Sequence, residues 1–348
     1  MGGGPAGLGA AKGAADAGAR VILVERYGFF GGSATAALVI PMMSYHTSSP
    51  EARRNDADIL FPSDHGPGEP VIAGVLAKLF NRIVELGGAI PPSVKTDFVT
   101  PFDPEVFKFA AMELLNRAGV DFLLHSCASG VIAGEGEISG VVFETKSGPL
   151  VIQAKTVVDC TGDGDISAWA GVPFESGRAD GTPNPVTLMF RMIDFNREAF
   201  SKYVKKNPGQ WDGVHGLKDL VASAEANGEL DLKREDMLFF GATRGHELNV
   251  NSTRIKRVYG TDVWGLTYAE WEGRRQMRQI ASFLSKYVPG FENASVVQSG
   301  VEVGVRSSRR IAGLYQMTAQ DVLEARSFPD VIARGSYPID IHLSLIHI

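Results

Sequence analysis

Cysteine is scarce: Cys127 and Cys160 are the only two in 348 residues, and neither sits in a CxxC pair. That spacing gives no local support to a dithiol relay, a zinc ribbon or a cysteine-ligated iron–sulfur cluster, so no metal site is expected. Both thiols are expected to be small buried hydrophobes, Cys160 at the end of an apolar strand. Long apolar runs are missing too; none approaches the ~20 residues that span a bilayer. There is no Lys/Arg block, and a formal net charge of -6 argues against a nucleic-acid surface. The N-terminus lacks a basic segment, apolar core and small-residue cleavage site, so a cytoplasmic location is expected. Also absent is the strand that should precede the glycines at Gly2. The chain therefore reads as a fragment whose native N-terminus lies upstream, which leaves export open. No internal repeat or low-complexity tract is present, and nothing in the residues speaks to oligomeric state.

What remains is an ordinary globular composition, 44% hydrophobic and 21% charged, long enough for two domains or one elaborated domain. Its most informative stretch is Gly2-Gly3-Gly4-Pro5-Ala6-Gly7, followed by an Ala-rich helix ending at Gly18 and then the strand Val21-Ile22-Leu23-Val24-Glu25. This is the sequence form of a dinucleotide-binding βαβ unit. Gly2 permits a tight turn, Gly4 lets backbone approach a pyrophosphate, and Gly7 lets the helix sit close to the sheet. The helix N-terminus presents free N–H groups and a positive dipole end to phosphate. Glu25 is placed to accept hydrogen bonds from ribose hydroxyls. A second glycine pair, Gly31-Gly32, is followed by the small polar residues Ser33 and Thr35. A nicotinamide cofactor does not require that second step, whereas the longer FAD molecule does, so FAD is preferred over NAD.

Along the chain, residues 48–68 read as a polar surface loop. Helices are expected over 71–86 and from Pro104 to the stop at Gly119, with a short strand at 120–124. A three-strand meander follows: 131–133, 138–145 and 150–154, joined by Gly-containing turns. It feeds an apolar strand, Thr156 to Cys160, that ends in Thr161-Gly162-Asp163-Gly164-Asp165. Ligands in open α/β sheets bind beyond strand carboxyl ends, so this turn should face the crevice of the first glycines. Beyond Pro173 the βα rhythm gives way. Strands are expected at 186–192, 237–240 and 247–251, and helices at 197–206, 217–227 and 268–287.

With these pieces in order, the chain resembles the FAD-dependent oxidoreductases with a glutathione-reductase-like FAD fold, relatives of the fumarate reductase flavoproteins. The resemblance runs from Gly2 to about His342. It is carried by Gly2 to Gly7, Val24 to Gly32, Val157 to Asp165, Gly304 to Ile311, and Phe328 to His342. It implies an α/β fold: a Rossmann-like FAD-binding domain (parallel sheet plus β-meander) with an inserted mixed α+β substrate domain. On that basis residues 1–47 and 100–175 are expected to form the FAD-binding domain and 48–99 a loop and helical insertion. Residues 176–300 would be a substrate or cap domain and 301–342 a return towards the FAD domain. The family's further C-terminal flavin-binding segment is missing, and 343–348 departs from its pattern and reads as a non-native tail.

FAD contacts are thus expected from Gly2, Gly4, Pro5, Ala6, Gly7, Glu25, Arg26, Gly31, Gly32, Ser33, Thr35, Thr161, Gly162 and Asp163. The expected reaction is hydride transfer between the flavin and a small polar substrate, a carboxylate-bearing one among the options, with a nearby base handling the proton. Arg306 and Arg309 are the candidate anchors for a carboxylate or a developing negative charge, each weighed against a structural salt bridge. His246, near Asn249, Asn251 and Arg254, is the candidate acid or base, weighed against a surface histidine. His46 is a remote candidate for covalent flavin attachment. The alternatives are a flavin-binding protein with structural FAD, an inactive fragment, and, more weakly, an NAD-dependent dehydrogenase.

Overall fold

A computed structural model describes residues 1–43, 60, 73–91, 99–178, 180–232, 234–335, 337 and 339. The expected 48–68 loop (Leu60 apart), His46 and the 343–348 tail lie outside the described residues.

The chain enters helix α1 (Pro5–Asp16) at once, with Gly4 as its N-cap and proline in the first turn, and leaves it through Gly18 in the left-handed region. Strand β1 (Ile22–Val24) follows, then the two-residue β2 (Met42–Met43), helix α2 (Gly74–Glu85), β3 (Val99–Thr100), helix α3 (Pro104–Arg117) and β4 (Asp121–Leu123). Strands β1 and β4 pair in parallel, Leu23 opposite Phe122, and β2 pairs antiparallel with β3. Helix α3 starts where the Asp103 carboxylate accepts the Glu105 amide, 2.8 Å away. Helix α2 lies in the stretch expected as a loop and helical insertion, 48–99. Its apolar stripe of Leu79, Phe80 and Ile83 packs into one core with Leu8, Ala11, Leu23, Phe30, Phe107, Ala111 and Leu115, because three helices sharing apolar faces bury more together than a helix left on the surface.

The meander forms as expected, from β5 (Cys127–Gly134), β6 (Glu137–Thr145) and β7 (Gly148–Gln153). Two expectations fail near it. Cys127, at the start of β5, is exposed rather than buried, because it lies on a half-solvated meander rather than in a packed layer; Cys160 is half-buried. Thr156 to Cys160 forms no ladder with another strand: Val158 O accepts from the Met1 amine at 2.9 Å and Cys160 N donates to Met1 O at 2.8 Å, and Val158 is left exposed.

Helix α4 (Asp165–Trp169) and strand β8 (Phe174–Ser176) lead out to a second, larger sheet. It comprises β9 (Phe190–Ile193), β10 (Trp211–Asp212), β11 (His215–Gly216), β12 (Met237–Gly241), β13 (Leu248–Val250) and β14 (Ser295–Ser299), in the order β10-β11-β12-β13-β9-β14 with every neighbouring pair antiparallel. One face is apolar over β9, β12 and β13: Phe190, Met192, Phe239, Leu248 and Val250 are buried against helices α5 (Arg197–Lys206), α6 (Lys218–Ala226) and α7 (Val263–Tyr287). Helix α7 begins five residues before the expected Tyr268. Asp262 caps it by accepting the Trp264 and Gly265 amides, and its early turns expose Trp264 and Trp271, so no apolar face announces the start. The chain returns through β15 (Arg309–Ile311), which pairs with β8, and the short α8 (Ala319–Leu323). Among the described residues no helix is long and apolar enough to cross a membrane, and no cluster of His, Cys, Asp and Glu is arranged to hold a metal ion.

Candidate cofactor site

Three turns converge beside Met1 and Gly2. The first is the glycine turn itself. Gly2 N donates to Val24 O at 2.9 Å, which fastens the turn to the end of β1. A Cβ on Gly7 would run into the Gly2 carbonyl oxygen, so this close helix-to-turn approach requires glycine there. Glu25 is buried, and its carboxylate accepts Gly3 N at 2.6 Å and Tyr27 N at 3.0 Å. Besides its expected ribose role, Glu25 therefore locks the strand end to the glycine turn, with lone pairs left over for a hydroxyl.

The second turn crosses directly over the first. Gly31 N donates to Gly3 O at 2.8 Å, and Gly32, in the left-handed region, comes so near that a Cβ on it would lie 2.8 Å from the Gly4 Cα. The two glycine segments thus lie backbone against backbone. Ser33 is exposed at this turn, whereas Thr35 is buried and spends its hydroxyl on Phe30 O at 3.0 Å, which holds the turn's shape. Arg26 and the Tyr27 hydroxyl both bond Glu302, which ties this corner to the return segment. Burial first, and then the bond to Glu302, pushes the Tyr27 phenol well above its ordinary pKa.

The third turn is organised by Asp159, a residue whose role the sequence did not reveal. Its Oδ1 accepts Thr161 N at 3.1 Å and Thr161 Oγ1 at 2.8 Å, while Oδ2 accepts Ser167 N at 2.9 Å and Ser167 Oγ at 2.8 Å. Thr161 Oγ1 in turn accepts Asp165 N at 3.0 Å. Burial alone would push the Asp159 carboxyl up, but these bonds outweigh it and hold it below the usual carboxylate range. Gly162 takes the left-handed turn, and Asp163 behind it is pushed up chiefly by burial and further by Asp165, against the Ser308 hydroxyl and the charges of Arg26 and Arg309.

The candidate catalytic residues separate. Arg309 is committed to this third turn: Nη1 donates to Asp163 O at 3.0 Å and to Asp165 Oδ1 at 2.6 Å, and the guanidinium lies over the Phe174 ring. Arg306 is exposed nearby in the chain and donates to Thr187 Oγ1 at 3.2 Å. His246 is not brought to these residues. It is exposed in the turn between β12 and β13, and its carbonyl accepts Phe195 N, at the opposite end of β9 from Met189. Met189 O accepts Gly300 N, and the next residue, Val301, donates to Ala36 O, where the sheet meets the cofactor turns. At ~3.3 Å per strand residue, His246 sits roughly 15–20 Å from that junction.

The first-turn amides of α1 have no intrahelical partners, no acid stands in that turn, and neither Gly4 nor Gly32 brings a side chain beside those amides. These features suit a pyrophosphate. The sequence model of the FAD dependent oxidoreductase family matches residues 1–345. The chain belongs to this family. FAD is accordingly its cofactor, and the expected fold, a Rossmann-like flavoprotein α/β fold, is the one observed. Among solved structures, the chain is similar to a myxobacterial chondrochloren halogenase described as a variant of FAD-dependent halogenases (15% identity, TM-score 0.50, covering 90% of this chain and 64% of that one). It is also similar to a geranylgeranyl bacteriochlorophyll reductase-like protein from Thermoplasma acidophilum (18%, TM-score 0.46, 87% and 64%). A third is p-nitrophenol 4-monooxygenase from Pseudomonas putida (12%, TM-score 0.45, 90% and 69%). This family member spans 64% of the length of the first two, and at 15% identity the likeness to the halogenase speaks to fold alone. No curated protein matches the chain.

Proposed function

We propose that this chain is the FAD-holding part of an oxidoreductase that moves a hydride between a small polar substrate and the flavin. The observation that carries the reading is the meeting of three backbone turns, Gly2 to Gly7, Gly31 to Ser33 and Thr161 to Gly164, around Met1 and Glu25. Bound FAD supplies the two-electron chemistry. The protein's part is to bind and orient. The α1 amides at Ala6 and Gly7 receive the pyrophosphate, Pro5 starts the helix without an amide to waste, and Glu25 takes the ribose hydroxyls. Gly31, Gly32 and Ser33 line the cofactor's path, and Thr161, Gly162 and Asp163 meet its ribityl side. Thr35 shapes the second turn from behind, and Arg26 screens the acids that surround it. Arg309 is a positioning residue that holds Asp163 and Asp165. Arg306 is the guanidinium offered to a substrate carboxylate.

The test is the visible absorption spectrum of the purified chain, repeated after adding FAD and desalting. Flavin bands that survive desalting are the expected result, together with their bleaching by an oxidisable substrate under anaerobic conditions. A desalted protein without flavin bands would overturn the reading. Retained bands that no alcohol, amine or hydroxy-acid donor bleaches would reduce it to a structural flavin.

A further inference from the structure

The second face of the large sheet differs from the first. Phe240, Asn249, Arg191 and Gln298 stand directly opposite one another across β12, β13, β9 and β14, so their side chains share one face. That face looks towards the cofactor unit: Phe240 packs in one cluster with Val214, Leu238 and Met43 of β2, eleven residues after Gly32. Arg191 donates from Nη1 to Gln298 Oε1 at 3.0 Å and from Nη2 to Glu247 Oε2 at 2.9 Å, and Glu247 also takes Arg244 at 3.3 Å. In the Arg191–Glu247 pair Glu247 is buried and Arg191 mostly so, with side chains 5% and 11% exposed. Asn249 is 2% exposed, and among the described residues its Oδ1 has no hydrogen-bond partner.

A fold does not need this arrangement. Burying a charge pair costs desolvation, and leaving a buried carbonyl oxygen unpaired costs more than an apolar side chain of the same shape would. Phe240, directly opposite on the same face and buried, shows that an apolar side chain packs there. An acceptor kept buried and unpaired, on a face turned to the cofactor unit and walled by a phenyl ring, is suited to a ligand that brings its own donor. We propose that Asn249 is the acceptor of a substrate subsite that takes a neutral O–H or N–H group, with Phe240 as its apolar wall and Arg191 and Gln298 as its polar floor. The Arg191 charge is already matched by Glu247, so the subsite selects a neutral donor over a carboxylate. The inference deepens the oxidoreductase reading above and rests on it: the group recognised is the hydroxyl or amine of the substrate.

The test uses phenol as probe, anisole as its O-methylated match lacking the donor, and benzoate as the carboxylate. Each is titrated into the full chain with and without added FAD by ligand-observed NMR, for wild type, Asn249→Leu and Asn249→Ala. Thermal melting and flavin retention are recorded on the same samples. Phenol is expected to bind wild type, anisole and benzoate about tenfold more weakly, and both variants to lose about tenfold in phenol affinity. N249L is expected to melt at least about 2 °C higher than wild type while retaining flavin like it. Equal binding of phenol and anisole, tighter binding of benzoate, no phenol binding to wild type, or unchanged binding to the variants overturns the subsite. So does an N249L protein that melts lower or does not fold, since Asn249 would then have a structural role. Absence of flavin retention in wild type defeats the oxidoreductase reading instead, and the phenol titration of the same protein tells the two failures apart.

Discussion

Two alanine substitutions, at Gly4 and at Gly7, separate cofactor binding from folding at the glycine turn. At Gly4 the backbone lies at φ -72, ψ -175, which alanine adopts freely, and a Cβ there would find nothing closer than the Gly32 Cα at 3.7 Å. Replacing an N-cap glycine by alanine costs about 0.5 kcal/mol, and the reduced freedom of the unfolded chain returns about 0.4–1 kcal/mol. G4A should therefore melt within a degree or two of wild type in the absence of FAD. The added methyl, however, stands at the N-cap beside the α1 amides proposed to receive the pyrophosphate. Losing one charge-assisted hydrogen bond from an α1 amide costs about 1.5–3 kcal/mol, or about ten- to a hundredfold in FAD dissociation constant. At Gly7 the balance inverts, because the colliding atom is the Gly2 carbonyl oxygen, part of a backbone fastened to Val24 and Glu25's partner Gly3. G7A should lose about 1–3 kcal/mol of stability before any cofactor is added. The assay is paired: thermal melts without FAD, since bound ligand would itself raise the melting temperature, and FAD titration followed by quenching of flavin fluorescence. A G4A protein with wild-type FAD affinity, or a G7A protein with an unchanged melt, would refute the geometry described for this turn.

Other consequences follow from single residues. Asp159→Asn replaces an all-acceptor carboxylate that serves four donors with a group that can accept at one oxygen only; because the site is half-buried, the expected loss is about 1 kcal/mol at neutral pH. The Asp159 pKa is depressed in the folded state, so its contribution is fully present above the unfolded value of about 3.9 and fades as pH falls through the folded pKa. Urea melts of wild type and D159N should differ at pH 7 and converge at the acid end; a constant difference would assign the loss to packing alone. His246→Ala, in an exposed turn where only the backbone carbonyl is engaged, should leave flavin reduction unchanged and stability within about 0.5 kcal/mol; a slowed reduction with an intact fold would return His246 to the active site. In a native thiol titration at pH 7.5, Cys127 should react promptly and Cys160 slowly, since burial shields Cys160 and raises its thiol pKa. Two equally fast thiols would contradict the packing of Cys160 against Met1.

Local physics made much of this chain readable. A glycine before Pro5 and another at Gly18 bound α1, Asn196 caps α5 by accepting Ala199 N, and Gly-containing turns set the meander, because each of these signals acts within a few residues of the element it shapes. The glycine turn, the acid at the end of β1 and the second glycine pair stand out in the sequence for a related reason: backbone segments that pack this closely tolerate few residue types. Tertiary structure alone decided the rest. Glu302 meets Arg26 and Tyr27 from more than 270 positions away, and no local pattern marks it. Arg309 carried the right chemistry for a substrate anchor, but its neighbours Asp163 and Asp165 turn it into a brace. His246 and Asn249 are three residues apart in sequence, yet one projects from a turn into solvent while the other is buried on the sheet face turned towards the cofactor unit. Sequence specifies which groups a strand or turn carries and on which side they alternate; only the pairing of distant strands determines what each side faces, and with it which polar group is left buried and waiting for a partner.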